Sequence, residues 1–401
     1  MNSTVKRNIL ACYTSDLVLG TFFQLPIWIV YQSKFLSFGQ IAFYSGLSLI
    51  TEVLAQLPTG AFADLFGRRL ALSLGNLFMA LPMFLMALYP KPEIMLLYSV
   101  LWGLGRAFCM GTSKPMLYET LAKHDQTSLY PKILSRSVIM FQLSAAISIA
   151  SGGYLYQITP NLPYLFSGFA SLIGVFTAFL FIENRAKEPV AHLHKFVETA
   201  KLGFVEIFKN SYVTKLTALY ALTLGIAQTS QQFFMQPFML ELGLSDIARS
   251  WTAMIIKISI ALLGAKLLSM KKVFESRHFL LIIPILMVMA LIPAGFVTLP
   301  FAYIIFFGIA FNSGNADLFL SPEINAHLSS TVRSTAISIQ RMLASSFGAL
   351  IQWLSIAPIA LNGVGGFYTY LGFFSLLVIL PLAYSLASHK HKHSLSIQPT
   401  I

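Results

Sequence analysis

The hydrophobic positions of this chain are grouped in long blocks separated by short polar stretches. Each block is about 20 residues long, which as a helix crosses the hydrocarbon core of a bilayer. The runs are continuous rather than alternating, and this favours helices over a β-barrel. The pattern predicts an all-α polytopic membrane protein with twelve transmembrane helices, at residues 8–30, 39–59, 70–89, 94–117, 133–157, 161–183, 211–236, 250–270, 278–298, 300–321, 333–357 and 364–387.

The longest polar interruption lies between the sixth and seventh blocks. Apolar residues recur there at helical spacing and oppose charged residues, a pattern typical of an amphipathic helix on the membrane surface. A charged linker without structure is the alternative. We therefore predict two six-helix bundles, 1–183 and 211–388, joined by a cytoplasmic amphipathic linker at 184–210 and followed by a cytoplasmic tail at 389–401.

Composition and charge support a membrane protein rather than a soluble one. Hydrophobic residues make up 56% of the 401 positions and charged residues only 10%, whereas soluble domains carry about 25% charged residues. The net charge of +12 does not indicate nucleic acid, because nearly all basic residues of the predicted loops lie on one side, opposite only Lys34, Lys91 and Arg249. This asymmetry predicts an inner (plasma) membrane protein with both termini in the cytoplasm. It also predicts attraction to anionic lipid headgroups.

The two halves of the chain contain related segments. The segment GRAFCMG at 105–111 in the fourth block resembles GIAFNSG at 308–314 in the tenth block. Arg136-Ser137 at the start of the fifth block likewise matches Arg333-Ser334 at the start of the eleventh block. The segments occur in the same order and at nearly the same spacing, which indicates a duplicated six-helix unit. Parallel repeats of this kind build transporters with a binding site near the membrane midplane, between the halves.

The turn between the second and third blocks carries a dense polar motif, Gly60, Asp64, Gly67, Arg68 and Arg69. This stretch resembles the signature loop of the major facilitator superfamily, G-x-x-x-D-x-x-G-[RK]-[RK]. The segments EVLAQLPTGAFAD and GLGRAFCMGTSKPMLYETL resemble efflux-type bacterial members of the same family. The resemblance implies the twelve-helix, two-bundle fold and transport by alternating access.

The motif also has a physical interpretation as a gate. The two glycines allow close helix approach and a sharp turn, and the arginines can reach carboxylates such as Glu119 at the end of the fourth block. In the family, the equivalent aspartate latches the N-terminal half onto the eleventh span, which begins here at Arg333. Exposed ion pairs are worth only about 0–1 kcal/mol, which suits a breakable latch. The alternative is that the arginines only anchor topology.

Charged side chains inside the blocks are costly and are therefore functional candidates. The acids are Asp16 and Glu52, which we expect to serve as proton-coupling sites or, alternatively, as structural partners of Arg106 or Arg341. The deep cations are Arg106, Lys257 and Arg341. Lys114 and Asp317 occupy equivalent positions in the two repeats, and we expect them to pair across the halves as an inner gate.

The remaining candidates are amides of the predicted cavity. We expect one or two to contact substrate and the others to form interhelical hydrogen bonds; the set is Gln24, Gln228, Gln231, Gln232, Gln236, Asn312 and Asn315. Three deep cations against two deep acids favour an anionic substrate held by Arg106 and Arg341. If Asp16 and Glu52 neutralise these cations, a neutral or cationic substrate fits instead.

Taken as one function, these features predict a secondary transporter, with proton-coupled efflux of a small organic molecule as the leading hypothesis. An uptake symporter or organic-anion exchanger of the same fold is the alternative; a membrane enzyme, a lipid-moving scaffold and a transport-dead sensor are less favoured. No catalytic set, phosphate loop or zinc spacing is visible in the sequence, and His389–His393 reads as a headgroup-binding tail. We therefore expect no cofactor, no metal, no disulfide between Cys12 and Cys109, no nucleic acid and no obligate protein partner, and we expect a monomer.

Overall fold

The computed structural model describes residues 2–183, 201–268, 279–329 and 333–396. Within these ranges every regular element is helical. The helices form two compact units, of which unit 1 is Met1–Phe196 with Leu244–Ile258, and unit 2 is Val197–Gly243 with Ser259–Ile401. The domain boundaries predicted from the sequence stay predictions.

Unit 1 is built from helices that begin at recognisable capping sequences. Ser37 and Gln40 form a reciprocal capping box at the start of α3, and Pro92 and Glu93 open α5, as expected for a first helical turn. Helix α4 packs against α5 and α8, α3 packs against α5, and α1 packs against α7. The helices are α1 (Ser3–Leu19), α2 (Trp28–Gln32), α3 (Phe38–Phe66), α4 (Arg68–Leu88), α5 (Pro92–Cys109), α6 (Ser113–Lys123), α7 (Tyr130–Ile158) and α8 (Leu162–Thr177).

Two of the predicted spans in unit 1 are interrupted. The first is broken at residues 20–27, where the backbone N–H of Phe22 donates to Ser148 Oγ at 3.0 Å and that of Phe23 donates to Ser167 Oγ at 3.1 Å. The fourth is broken between α5 and α6, where Gly111 has a φ of 71°. Non-helical backbone at membrane depth must find hydrogen bonds within the protein, and the two serines meet that need for the first break.

Unit 2 contains the helical residues 201–209 (α9) and the helices that follow. Helix α10 packs against α14 and α15, and α13 packs against α14. Single π-helical turns at Ser230–Phe234 and Ser375–Ile379 join α10 to α11 and α16 to α17. The bounds are α10 (Ser211–Thr229), α11 (Met235–Glu241), α12 (Asp246–Leu268, whose first residues belong to unit 1), α13 (Phe279–Leu291), α14 (Ala302–Ala326), α15 (Arg333–Leu354), α16 (Ile356–Phe374) and α17 (Leu380–Ser396).

Seven helices of the described residues are long and apolar enough to cross a membrane, and Phe279–Gly295 is a shorter apolar helix. The helical membrane fold predicted from the hydrophobic blocks is confirmed, while the count of twelve spans stays a prediction. Several predicted features lie outside the described residues, namely linker residues 184–200, the end of the tail at 397–401, and the side chains of Arg333 and His389–His393.

Candidate functional site

The turn between α3 and α4 is closed by a single residue, Gly67. Its φ of 104° is unfavourable for any residue with a side chain. Arg68 Nη1 lies 2.5 Å from Glu119 Oε1, and its Nη2 lies 3.9 Å from Asp64 Oδ1. The predicted contact between Arg68 and Glu119 is therefore confirmed, while the role of the turn as a gate stays a prediction.

Two expectations for this turn are wrong. A Cβ at Gly60 would meet no atom within 4 Å of the described structure, so this glycine does not mark a close helix approach. Among the described residues, Arg69 has no carboxylate side chain as an ion-pair partner, and its guanidinium lies 5.4 Å from the centroid of Phe179. Within the described residues, the ion pairs of the turn are therefore those of Arg68 with Asp64 and Glu119.

A residue that the sequence interpretation did not single out completes the turn. The carboxylate of Glu183, at the end of the sixth predicted span, accepts from the backbone N–H groups of Arg68 at 2.5 Å and Arg69 at 3.3 Å. An anion at this position satisfies the unpaired N–H groups at the start of α4 and complements the helix dipole. The only sequence signal for it was an acid where an apolar block ends.

Asp16 is held in a buried polar cluster between three helices of unit 1. Lys114, in the first turn of α6, and Ser137, on α7, both donate to Asp16 Oδ2. Lys114 also donates to Ser137, and its Nζ lies 3.5 Å from the Cys12 sulfur. The expectation that Asp16, if paired, would pair with Arg106 or Arg341 is wrong, since its partner is Lys114.

Glu52 and Arg106 form a second ion pair in unit 1, between α3 and α5. Arg106 Nε donates to Glu52 Oε2 at 3.0 Å. The carboxylate side is covered, with 10% of the Glu52 side chain exposed, whereas 45% of the Arg106 side chain is exposed. Exposing an arginine to lipid within a span is costly, so the open side of Arg106 is a candidate contact for a polar group.

Unit 2 has its own cluster around Asp317. Arg341 Nη2 donates to Asp317 Oδ2 at 2.9 Å, while Tyr220 and Ser321 donate their hydroxyls to Oδ1 at 2.7 and 2.6 Å. Asp317 and Lys114 therefore each have an ion-pair partner within their own unit, which differs from the expected pairing of the two with each other.

The clusters occupy equivalent positions in the two halves. Asp16 corresponds to Tyr220, and Lys114 to Asp317, at nearly the spacing of the sequence repeats. A second correspondence lies nearby, because Asn8 donates to Thr120 at 2.6 Å in unit 1 and Tyr212 donates to Glu323 at 3.1 Å in unit 2. The duplicated unit inferred from the sequence thus recurs as the same pairs of positions in contact, filled by different side chains.

Several of the predicted cavity residues have structural partners. Gln24 is buried and accepts from Ser167 Oγ at 2.5 Å. Asn312 is buried and donates to the Gly308 carbonyl at 3.0 Å. The Gln24 contact fits the expected hydrogen bond between helices, whereas the Asn312 contact lies within α14, so the role of Asn312 stays a prediction.

The other predicted cavity residues are more open. Gln228 is half-buried, and Gln232 is exposed in the π-helical turn that follows α10. Lys257 Nζ lies 5.6 Å from the ring centroid of Phe141, and it has no carboxylate partner among the described residues. For these three side chains, contact with the substrate stays a prediction.

Long apolar helices that enclose paired ionisable side chains define an integral membrane protein. The sequence matches the Major Facilitator Superfamily profile over residues 10–353. The chain belongs to this superfamily.

Two curated relatives from Bacillus subtilis (strain 168) resemble parts of the chain. Multidrug resistance protein 1 is 23% identical over 46% of this chain and 46% of its own length. The MFS-type transporter YxaM is 24% identical over 57% of this chain and 57% of its own length. The chain thus spans about half the length of the curated relatives it matches.

Solved structures agree over nearly the whole chain. The nucleoside transporter NupG has a TM-score of 0.73 at 15% identity and covers 96% of this chain and 99% of its own. A D-xylose-proton symporter has a TM-score of 0.68 at 14% identity and covers 95% and 99%. At these identities the likeness is one of fold.

Proposed function

We propose that this protein is a secondary transporter that exports a small organic molecule in exchange for protons by alternating access. The energy source is the proton gradient, with no cofactor. The protein lies in the plasma membrane as a monomer with both termini in the cytoplasm, and its two bundles, 1–183 and 211–388, are joined by the linker at 184–210. Export is favoured over uptake by the resemblance to Multidrug resistance protein 1.

The observation that carries proton coupling is the Asp16 cluster. Both donors, Lys114 and Ser137, use Asp16 Oδ2, and Oδ1 has no donor among the described residues. A proton can therefore attach at Oδ1 while Ser137 still holds the other oxygen. Because a neutral acid no longer attracts the ammonium strongly, protonation releases Lys114 and alters the contact between α1 and α6.

The gate in this proposal is the α3–α4 turn. Asp64, Arg68 and Glu119 form a partly exposed network, and such pairs are weak enough to open and close within one transport cycle. The start of α15, at Arg333, is the element that the turn engages when the cytoplasmic side closes.

The test uses purified protein in liposomes loaded with the pH dye pyranine, with a panel of lipophilic cations, neutral drugs and aromatic acids outside. We expect compound-dependent proton movement for wild type. Asp16→Asn should abolish gradient-driven transport and leave compound exchange without a gradient intact, which also shows that the variant is folded. Asp317→Asn is the matched comparison, and it should keep its dependence on the gradient even where its rate falls.

The direction of transport is measured in the same liposomes, after the orientation of the protein in their membrane has been determined. An exporter moves the compound away from the side that carries the termini while protons move toward that side. Movement of both in one direction would instead establish the symport alternative, and gradient-driven transport by Asp16→Asn would exclude Asp16 as the coupling site.

A further inference from the structure

We propose that the face of α5 bearing Tyr98, Trp102 and Arg106 is the substrate subsite of unit 1, and that it takes aromatic carboxylates. The inference rests on the proposed transport function for its biological meaning, but it concerns binding and is testable without transport.

The three side chains lie on one stripe of α5. They are spaced four residues apart, and residues at that spacing share a helix face. The rings of Tyr98 and Trp102 are stacked, with centroids 5.9 Å apart and an interplanar angle of 7°. Each of these two rings is half-buried rather than enclosed. Arg106 is partly exposed, and the Trp102 ring one turn before it on the same stripe is partly exposed as well.

A third ring is placed by the break in the first span. Phe22 meets Trp102 edge to face, with centroids 6.1 Å apart and an interplanar angle of 69°. Its backbone is fixed because its N–H donates to Ser148 on α7. Aromatic rings favour such edge and offset contacts with one another, and a flat ligand ring that enters here finds a stacking face on Trp102 and an edge contact from Phe22.

The polar end of the stripe selects the charge of the ligand. Arg106 uses Nε for Glu52, and its two Nη groups have no hydrogen-bond partner within the described part of the chain. The Glu52 carboxylate is covered, so the surface offered to a ligand consists of guanidinium donors. Guanidinium binds carboxylates through two parallel hydrogen bonds. A cation would meet like charge, whereas a carboxylate joins the pair without displacing Glu52.

The experiment measures equilibrium binding to purified full-length protein with four probes of related shape. 2-Naphthoate has a ring and a carboxylate, 2-naphthamide is its neutral analogue, 2-naphthylmethylamine is cationic, and cyclohexanecarboxylate lacks the aromatic ring. We expect 2-naphthoate to bind about tenfold or more tightly than each of the other three, since a charge-assisted bidentate contact and a stacked ring are each worth at least a factor of that order.

Variants separate the two contacts. Arg106→Gln should remove the preference for 2-naphthoate over 2-naphthamide, and Trp102→Leu should remove the preference over cyclohexanecarboxylate. Phe108→Leu is the matched control on the same helix, because Phe108 packs with Phe62 and Phe78 instead; it should bind 2-naphthoate like wild type. Glu52→Gln should tighten 2-naphthoate binding several-fold, a gain that a misfolded variant cannot produce.

Tightest binding of the cationic probe, or unchanged 2-naphthoate binding in Arg106→Gln, would overturn the proposal. Binding of 2-naphthoate without proton movement in liposomes would leave this inference intact and remove the exporter function. Proton-coupled transport of other compounds, with no binding of 2-naphthoate, would support the transport function and exclude the aromatic-carboxylate subsite.

Discussion

The two units place a polar contact at corresponding positions and build it from different residues. In unit 1, the acid is Asp16 on α1 and the cation is Lys114 at the start of α6. In unit 2, the position of Asp16 is taken by Tyr220, the position of Lys114 is taken by the acid Asp317, and the cation comes from α15. The duplication therefore preserved a polar contact between the same helices while the charges moved to other positions.

The two clusters also differ in burial. Only 9% of the Asp16 side chain is exposed, against 39% for Asp317. A buried pair leaves an uncompensated charge when one member is lost, whereas an exposed pair is replaced by water at little cost. Proton uptake is consequently an event with a large structural effect at Asp16 and a small one at Asp317. This contrast is why the proposed coupling site lies in unit 1.

The largest expected difference follows from removal of each cation. Lys114→Met leaves the Asp16 carboxylate buried without its counter-ion and should lower the free energy of unfolding by about 3–5 kcal/mol. Arg341→Met removes the partner of a partly exposed acid and should lower it by about 1 kcal/mol or less. Thermal or denaturant unfolding of the purified proteins in one detergent measures both.

The double variant Asp16→Asn with Lys114→Met serves as the control for that difference. Because it removes both charges, it should recover most of the stability lost in Lys114→Met. Equal destabilisation by Lys114→Met and Arg341→Met would break the comparison between the two units.

A smaller difference is expected for the hydroxyls that donate to each acid. Ser137 is fully buried and donates to Asp16, so Ser137→Ala should cost about 1–3 kcal/mol because the buried carboxylate loses one of its two donors and keeps only Lys114. Tyr220→Phe leaves Asp317 with Ser321 and Arg341 and should cost about 1 kcal/mol. The same unfolding measurement applies, and a larger loss in Tyr220→Phe would contradict the ranking.

The smallest effects are expected at two glutamates that accept hydrogen bonds from backbone N–H groups, one in each unit. Glu183→Ala removes the acceptor for two backbone N–H groups of α4 and should cost about 1 kcal/mol. Glu206, on α9, accepts from the backbone N–H of Ser329 at 2.7 Å and from its hydroxyl at 2.8 Å. These contacts are exposed, so water can replace them. Glu206→Ala should therefore lower the free energy of unfolding by less than Glu183→Ala does.

Hydrogen–deuterium exchange measures which part of the chain each of these two variants destabilises. In Glu183→Ala, faster exchange is expected in the peptide that covers residues 66–72 and not elsewhere in unit 1. Faster exchange across the whole unit would instead mean that Glu183 supports the bundle rather than one helix start.

Part of the candidate site was predictable because its signal is local. In the run from Asp64 to Arg69, Gly67 indicates a turn. Because few carboxylates lie within reach of Arg68 at that end of the bundle, Glu119 could be predicted as its partner. The partner of Asp16 was not predictable in this way. Hydropathy places Asp16, Lys114 and Arg106 all within spans, but it contains no information about the rotation of each helix, and rotation decides which cation meets which acid.

By itself, the sequence determined the helical membrane fold, the superfamily through its signature turn, and the repeat that relates the two halves. These features depend on segment length, on apolar content and on short motifs, each of which is encoded along the chain. The tertiary structure alone decided that Lys114 holds Asp16, that Glu183 caps α4, and that Phe22 packs against Trp102. Such contacts join residues far apart in sequence, and they exist only once the helices have packed with a definite rotation and depth.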